Sequence, residues 1–165
     1  MDVRRELLRD HEDHEVLLAQ VASSVEAKQS AAQLRRCWLA FEENLIEHLD
    51  AEERFLFTVT AQAHRLEIGQ LRLEHRGIRQ AVLTLRMQLE HNRLEQEAID
   101  ELRALMLAHG AHEERTLHRW LAIDEGIMAH RGLLAMRTRR ERSSPRMRVA
   151  AKVESTPPAL SVRRG

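Results

Sequence analysis

The chain has 165 residues, 26 Lys and Arg balanced by 26 Asp and Glu, with 43 % hydrophobic and 32 % charged residues. That is enough for one soluble globular domain with a core, and short for two. Cys37 is the one cysteine, which excludes an internal disulfide and a cysteine-based zinc cage. No apolar run approaches the roughly 18 to 20 residues of a membrane span. The opening MDVRRELLRDHEDHE turns acidic where a signal peptide needs an apolar stretch. A cytoplasmic location is expected.

The zero net charge conceals a split. Residues 1–130 carry 16 Lys and Arg against 24 Asp and Glu, whereas residues 131–165 carry 10 against 2. Together with Ser143, Ser144, Pro145, Pro157 and Pro158, this places the domain at 1–125. Residues 126–165 are expected to extend a helix and then form a disordered basic tail.

Within the domain the composition favours helix: aromatic residues are 3 %, Tyr is absent, and Leu, Ala, Glu, Arg and Gln dominate. A first helix is predicted over 3–27 from Leu7, Leu8, Leu18, Val21 and Val25. Ser30 then caps a second, running to about residue 63. Its inward stripe is Phe41, Leu45, His48, Glu52, Phe55 and Val59. A third, over 67–90, carries Ile68, Leu71, Ile78, Val82, Leu85 and Leu89. After His91-Asn92-Arg93 a fourth runs to about 122, with Leu102, Leu105, His109, Glu113, Leu117 and Trp120 on one face. Short connections make consecutive helices antiparallel, so the fold class is all-α, an up-down-up-down four-helix bundle.

The sequence repeats itself. HLDAEER at 48–54 recurs as HGAHEER at 109–115, and LLRDH ending at His11 resembles LRLEH ending at His75. The chain looks like two copies of one helical hairpin. The repeat places polar residues in line with the core: His48 and Glu52 share one face, as do His109 and Glu113. His11 and His75 lie on the apolar stripes of the first and third helices. At 1.5 Å per residue, His11 lies about 24 Å, His48 about 27 Å, and His75 and His109 about 23 Å from the same end of the bundle. Six polar groups therefore meet in one layer. Burying two carboxylates and four imidazoles without a partner costs several kcal/mol per charge. A metal offsets that cost, since imidazole and carboxylate are its natural ligands. Two carboxylates that bridge and four imidazoles suit a pair of irons.

These residues resemble the hemerythrin-like (HHE cation-binding) family: a His on helix one, H-x3-E on helix two, a His on helix three, H-x3-E on helix four. HLDAEERFLF and EERTLHRW extend the likeness, which covers about 6–122. The resemblance implies that His11, His48, Glu52, His75, His109 and Glu113 hold two non-haem iron ions with a bridging oxo or hydroxo group. It also implies a role in binding or sensing oxygen, nitric oxide or iron itself. The pattern departs from the oxygen carriers at Arg79, where they have a fifth His, which argues against reversible oxygen carriage.

Other residues of the same types have weaker claims. His14 also faces inward, one turn after His11, as a supporting group or as the first-helix ligand in its place. His112 and His118 are expected at the rim, and Glu53 and Glu114, about 100° off the stripe, as ion-pairing flank residues. His64, His91 and His130 are expected to be solvated. No Glu stands three residues before a His, so the E-x-x-H of ferritin-like oxidases is absent. The zinc-protease motif, a phosphate-binding Gly loop and a nucleophile elbow are absent too. The resemblance implies binding of a diatomic molecule or peroxide, with binding expected ahead of turnover. A di-iron oxidase or peroxidase and a metal-free helical interaction module are the alternatives. The tail lacks the aromatics and periodicity of a nucleic-acid contact, so a solvated tail is expected.

Overall fold

The structure is a computed structural model that describes residues 3–121. The expected end of the domain at 125, the helix extension and the basic tail lie outside the described residues. Helix α1 spans Val3–Glu26 and α2 Ala31–Ala51. A π-helical turn, Glu52–Leu56, leads straight into α3, Phe57–Thr60. Then come α4, Arg65–Glu90, α5, Gln96–Arg115, and the short α6, Leu117–Leu121. There is no strand among the described residues, and no helix among them is long and apolar enough to cross a membrane.

Local chemistry sets the ends of these rods. Ser30 has extended backbone and its hydroxyl accepts from the Gln33 N–H at 3.3 Å, satisfying one of the free donors of the first turn. Lys28 and Asn92, with φ of 50° and 54°, turn the chain out of α1 and α4. Ala51, Leu56 and Ala61 keep helical backbone, so α2, the π turn and α3 form one continuous rod. Helix α1 packs on α2, α2 on α4, α4 on α5 and α5 on α1, the closed ring of an up-down-up-down bundle.

The core has two apolar parts. The larger gathers residues such as Leu18, Trp38, Phe41, Val82, Ile99 and Leu102. The smaller consists of Leu7, Leu56, Phe57, Ile68, Leu71 and Leu117, with Trp120 packed against it. Between them lies a buried polar layer containing His48, Glu52, His75, His109 and Glu113.

The inward stripes differ from expectation at three places. Leu8 is 40 % exposed, on the outer flank of α1. Leu105 is 46 % exposed, and Met106 packs inward in its stead. Beyond Glu52 the buried residues are Leu56 and Phe57, while Phe55 is only partly covered, beneath the Arg54 guanidinium. The cause is the π turn: its i→i+5 bond from the Phe57 N–H to the Glu52 carbonyl inserts one residue and moves the stripe on by one. The Val59 side chain lies outside the described ones. Truncating Leu102, fully buried, to Ala should cost about 2–5 kcal/mol, whereas Leu105→Ala should stay within about 0.5 kcal/mol. Urea unfolding of the two variants checks this, and equal losses would place Leu105 in the core after all.

Candidate metal centre

The polar layer brings together the six residues singled out in the sequence. Two groups of side-chain donors form, each with its atoms within 4.8 Å of one another. One is His11, His48, Glu52 and Glu113; the other is Glu52, His75, His109 and Glu113. Both carboxylates belong to both groups, and both are fully buried. His11 sits in the cluster. His14, also buried, lies outside both groups, with its ring edge-on to that of His48 at 4.7 Å between centroids.

Each carboxylate offers one oxygen to either side. His48 Nε2 is 3.1 Å from Glu52 Oε1, and His11 Nε2 is 3.3 Å from Glu113 Oε2. On the other side His75 Nε2 lies 3.4 Å from Glu52 Oε2, and His109 Nε2 lies 3.4 Å from Glu113 Oε1. The two Nε2 atoms of His75 and His109 approach to 3.1 Å. Yet all four carboxylate oxygens, with Nε2 of His11 and His48, are buried without a hydrogen-bond partner. Six orphaned polar atoms in one layer would be very costly as they stand. Two ligands about 2.1 Å from a cation and at right angles to each other stand about 3 Å apart, the spacing seen here. The donor set fits bound cations.

A second ring of carboxylates orients three of the imidazoles. His48 Nδ1 donates to Asp10 at 3.2 Å, His75 Nδ1 to Glu53 at 2.9 Å, and His109 Nδ1 to Glu74 at 3.0 Å. With Nδ1 committed as donor, each Nε2 is turned inward and, once its proton is released, presents the lone pair that metal-binding imidazoles require. Glu74 also accepts from His112 Nδ1 at 2.8 Å, so His112 sits behind His109 at the rim. Arg79 points away from the layer, pairing with Asp50 at 2.8 Å and Glu53 at 3.4 Å.

Asp10, Glu53 as a histidine partner, and Glu74 did not emerge from the sequence reading. A signal was present: an acidic residue directly precedes His11 and His75, and another directly follows Glu52. For Glu53 the helical wheel was misleading, because the wider π turn lets both Glu52 and Glu53 reach the layer. In α5, which keeps α-helical geometry there, the corresponding Glu114 is exposed. His64 stacks on Trp120 at 3.8 Å rather than standing free in solvent; His91 is exposed at the end of α4. The His118 side chain and His130 lie outside what is described.

The electrostatics follow from burial against opposite charge. Burial alone would push His48 down, but Glu52 and Asp10 outweigh it and hold the imidazole at about 10. Burial likewise pulls on His109, and Glu113, Glu52 and Glu74 raise it to about 9. Burial and the neighbouring Glu52 would raise Glu113; His109 and His11 bring it down to about 2. Glu52 is held well below the usual range, burial notwithstanding, by His48 and His75. Without a cation, protons on His48 and His109 neutralise the two carboxylates.

A helical bundle with two carboxylates shared between two pairs of imidazoles defines a cation-binding protein. The model of the hemerythrin HHE cation-binding domain matches residues 2–121, and the chain belongs to that family. No curated protein and no solved structure matches the chain.

Protons and cations compete for the same atoms, which sets opposite pH dependences. His48 and His109 are raised in the folded chain, so their contribution to metal-free stability is full below about 6.5 and is lost as pH rises through 9 and 10. The depressed Glu113 contributes above about 4.5 and loses its contribution as pH falls towards 2. Cation binding must release the imidazole protons, so it strengthens as pH rises. Between about pH 6.5 and 9, thermal melts should show falling stability for the metal-free chain and a growing stability increment from metal. Increments independent of pH would contradict imidazole ligation. Asp10→Asn, which leaves the His48 tautomer unfixed, should weaken metal binding about 10- to 100-fold in competition with a chelator.

Proposed function

We propose that this cation-binding domain is a non-haem di-iron protein of hemerythrin type, with His11 and His48 on one iron, His75 and His109 on the other, and Glu52 and Glu113 bridging. The observation that carries this reading is the division of each carboxylate's two oxygens between the two imidazole pairs. The donors are nitrogen and oxygen only, the set that imidazole–carboxylate iron sites use. When bound, such a pair of irons, joined by an oxo or hydroxo group, supplies one-electron redox chemistry and open coordination positions for a small ligand.

The protein's own part is to hold the four Nε2 atoms and two carboxylates at fixed separation in a layer sealed above and below by apolar residues. The large core cluster and the cap of Leu56, Phe57, Leu71 and Leu117 exclude bulk water from both sides. Arg79, one turn after His75, turns outward to Asp50 and Glu53 and so brings neither a guanidinium nor an imidazole to the donors from that position. Four histidines rather than five suit a sensor or scavenger of oxygen or nitric oxide better than a reversible carrier. Iron storage uses the same donors. A second reading, a di-iron oxidase or peroxidase, is favoured by a cavity of about 260 Å³ that reaches His11, His48 and His109 from between α1 and α5. That is more room than a diatomic ligand needs.

Iron analysis and the visible spectrum before and after reduction test the reading. Two irons per chain are expected, with Glu52→Ala and Glu113→Ala falling to one or none and lowering the melting temperature, since metal affinity contributes to folding. Full iron in both variants would rule out bridging. Mixing the reduced protein with oxygen should give prompt, irreversible oxidation; oxygen recovered intact under vacuum would restore the carrier.

A further inference from the structure

The two hairpins are related by the internal repeat, so the bundle has two equivalent grooves: α2 against α4, and α1 against α5. The first is filled and sealed. Leu49 and Ile78 are buried at its base, and the Arg79 guanidinium closes it by pairing with Asp50 at 2.8 Å and Glu53 at 3.4 Å. In the second groove four of these five positions have changed and only the second glutamate is kept. Leu49 corresponds to Gly110, Asp50 to Ala111, Ile78 to His14, Arg79 to Glu15, and Glu53 to Glu114. Side-chain volume and the guanidinium are both missing, and the cavity of about 260 Å³ stands there.

The opening is shaped, not left over. At Gly110 an added Cβ would lie 3.3 Å from His11 Nδ1, so the groove wall has no room for a side chain without disturbing that ring. Leu45, Leu49 and Met106 give the cavity an apolar interior, His11 and His48 form part of its floor, and Glu15 and Glu114 line it as well. The bridging carboxylates and His75 do not line it, so the space lies beside the donor layer rather than within it. An apolar cavity of about 150 Å³ holds a benzene ring.

The sealed groove shows what chemistry completes such a place: a guanidinium between two carboxylates. We propose that the α1/α5 groove binds a small organic cation, an amine, amidine or guanidine on an apolar body of about one ring, its charged end between Glu15 and Glu114 and its body towards His11 and His48. The ligand supplies in trans the positive charge that Arg79 supplies in the twin groove. Among the described residues Glu15 pairs with Arg103 at 3.5 Å, whose guanidinium is also held by Asp100 at 2.7 Å. This goes beyond the di-iron reading, since the groove's selectivity rests on residues outside the donor layer.

Benzamidine is the probe, titrated calorimetrically into the iron-loaded full chain, with benzoate and benzyl alcohol as anionic and neutral controls. Binding with a dissociation constant below about 1 mM is expected for benzamidine, and at least about tenfold weaker binding for both controls. Glu15→Arg should rebuild the seal of the twin groove and abolish binding. Glu114→Gln, an exposed substitution that does not threaten folding, should weaken it about tenfold or more. Absence of benzamidine binding, equal binding of benzoate, or undiminished binding in both variants would overturn the proposal. Iron is measured on the same samples. Two irons per chain without benzamidine binding sinks this proposal alone, and binding without iron sinks the di-iron reading alone.

Discussion

Two glutamates, Glu52 and Glu113, lie at the centre of the bundle with no exposed surface and no hydrogen-bond donor on any of their four oxygens. An isolated carboxylate in such a place would take up a proton or unfold the chain, because burial of an uncompensated charge costs several kcal/mol, a large share of a domain's margin of stability. Neither glutamate does so: His48, His75, His109 and His11 are close enough to hold them ionised. Everything else in the layer answers to this one demand for positive charge. It can be met by protons on imidazole or by cations between the residues, and the exchange of one for the other couples metal uptake to pH.

The demand also explains the ring of acids behind the imidazoles. Asp10, Glu53 and Glu74 each take an Nδ1–H, which fixes three rings and points their other nitrogen at the centre. Asp10 serves His48 from the neighbouring helix just as Glu74 serves His109, so the repeat is preserved in function as well as in spacing. It fails where Glu53 serves His75, since Glu114 does not serve His11. The π turn is the difference. One inserted residue on α2 lets two consecutive glutamates face the layer, and α5, without it, leaves its second glutamate at the open groove.

Much of this was legible in the sequence, for physical reasons that can be named. Helical periodicity carries the inward stripes, so Ile68, Leu71, Ile78, Val82, Leu85 and Leu89 could be read off, and all are buried. A histidine in such a stripe is conspicuous, and for that reason the six donors could be chosen and the structure brings them together. What periodicity cannot carry is a change of period. The π turn has no compositional mark, so Phe55 was assigned inward where Leu56 and Phe57 go. Partners across helices were equally hidden: Asp10, beside a histidine on its own helix, reaches a histidine on the next one. Leu105 and Met106 show a smaller version of the same limit, since adjacent apolar residues near the edge of a stripe differ by only one step of rotation.

The polar layer divides the apolar interior unevenly. Among the described residues, a large cluster drawing on α1, α2, α4 and α5 stands on one side and a small one built from Leu7, Leu56, Phe57, Ile68, Leu71 and Leu117 on the other. Regions with fewer buried apolar contacts open at lower free energy than the rest of a domain. On the described residues alone, the small end is expected to open before the long helical body, uncovering Glu52 and His75. Amide exchange along the bundle would be graded rather than uniform, fastest in the turns around Phe57 and Leu117. The same opening gives large chelators a way in that does not pass through the groove.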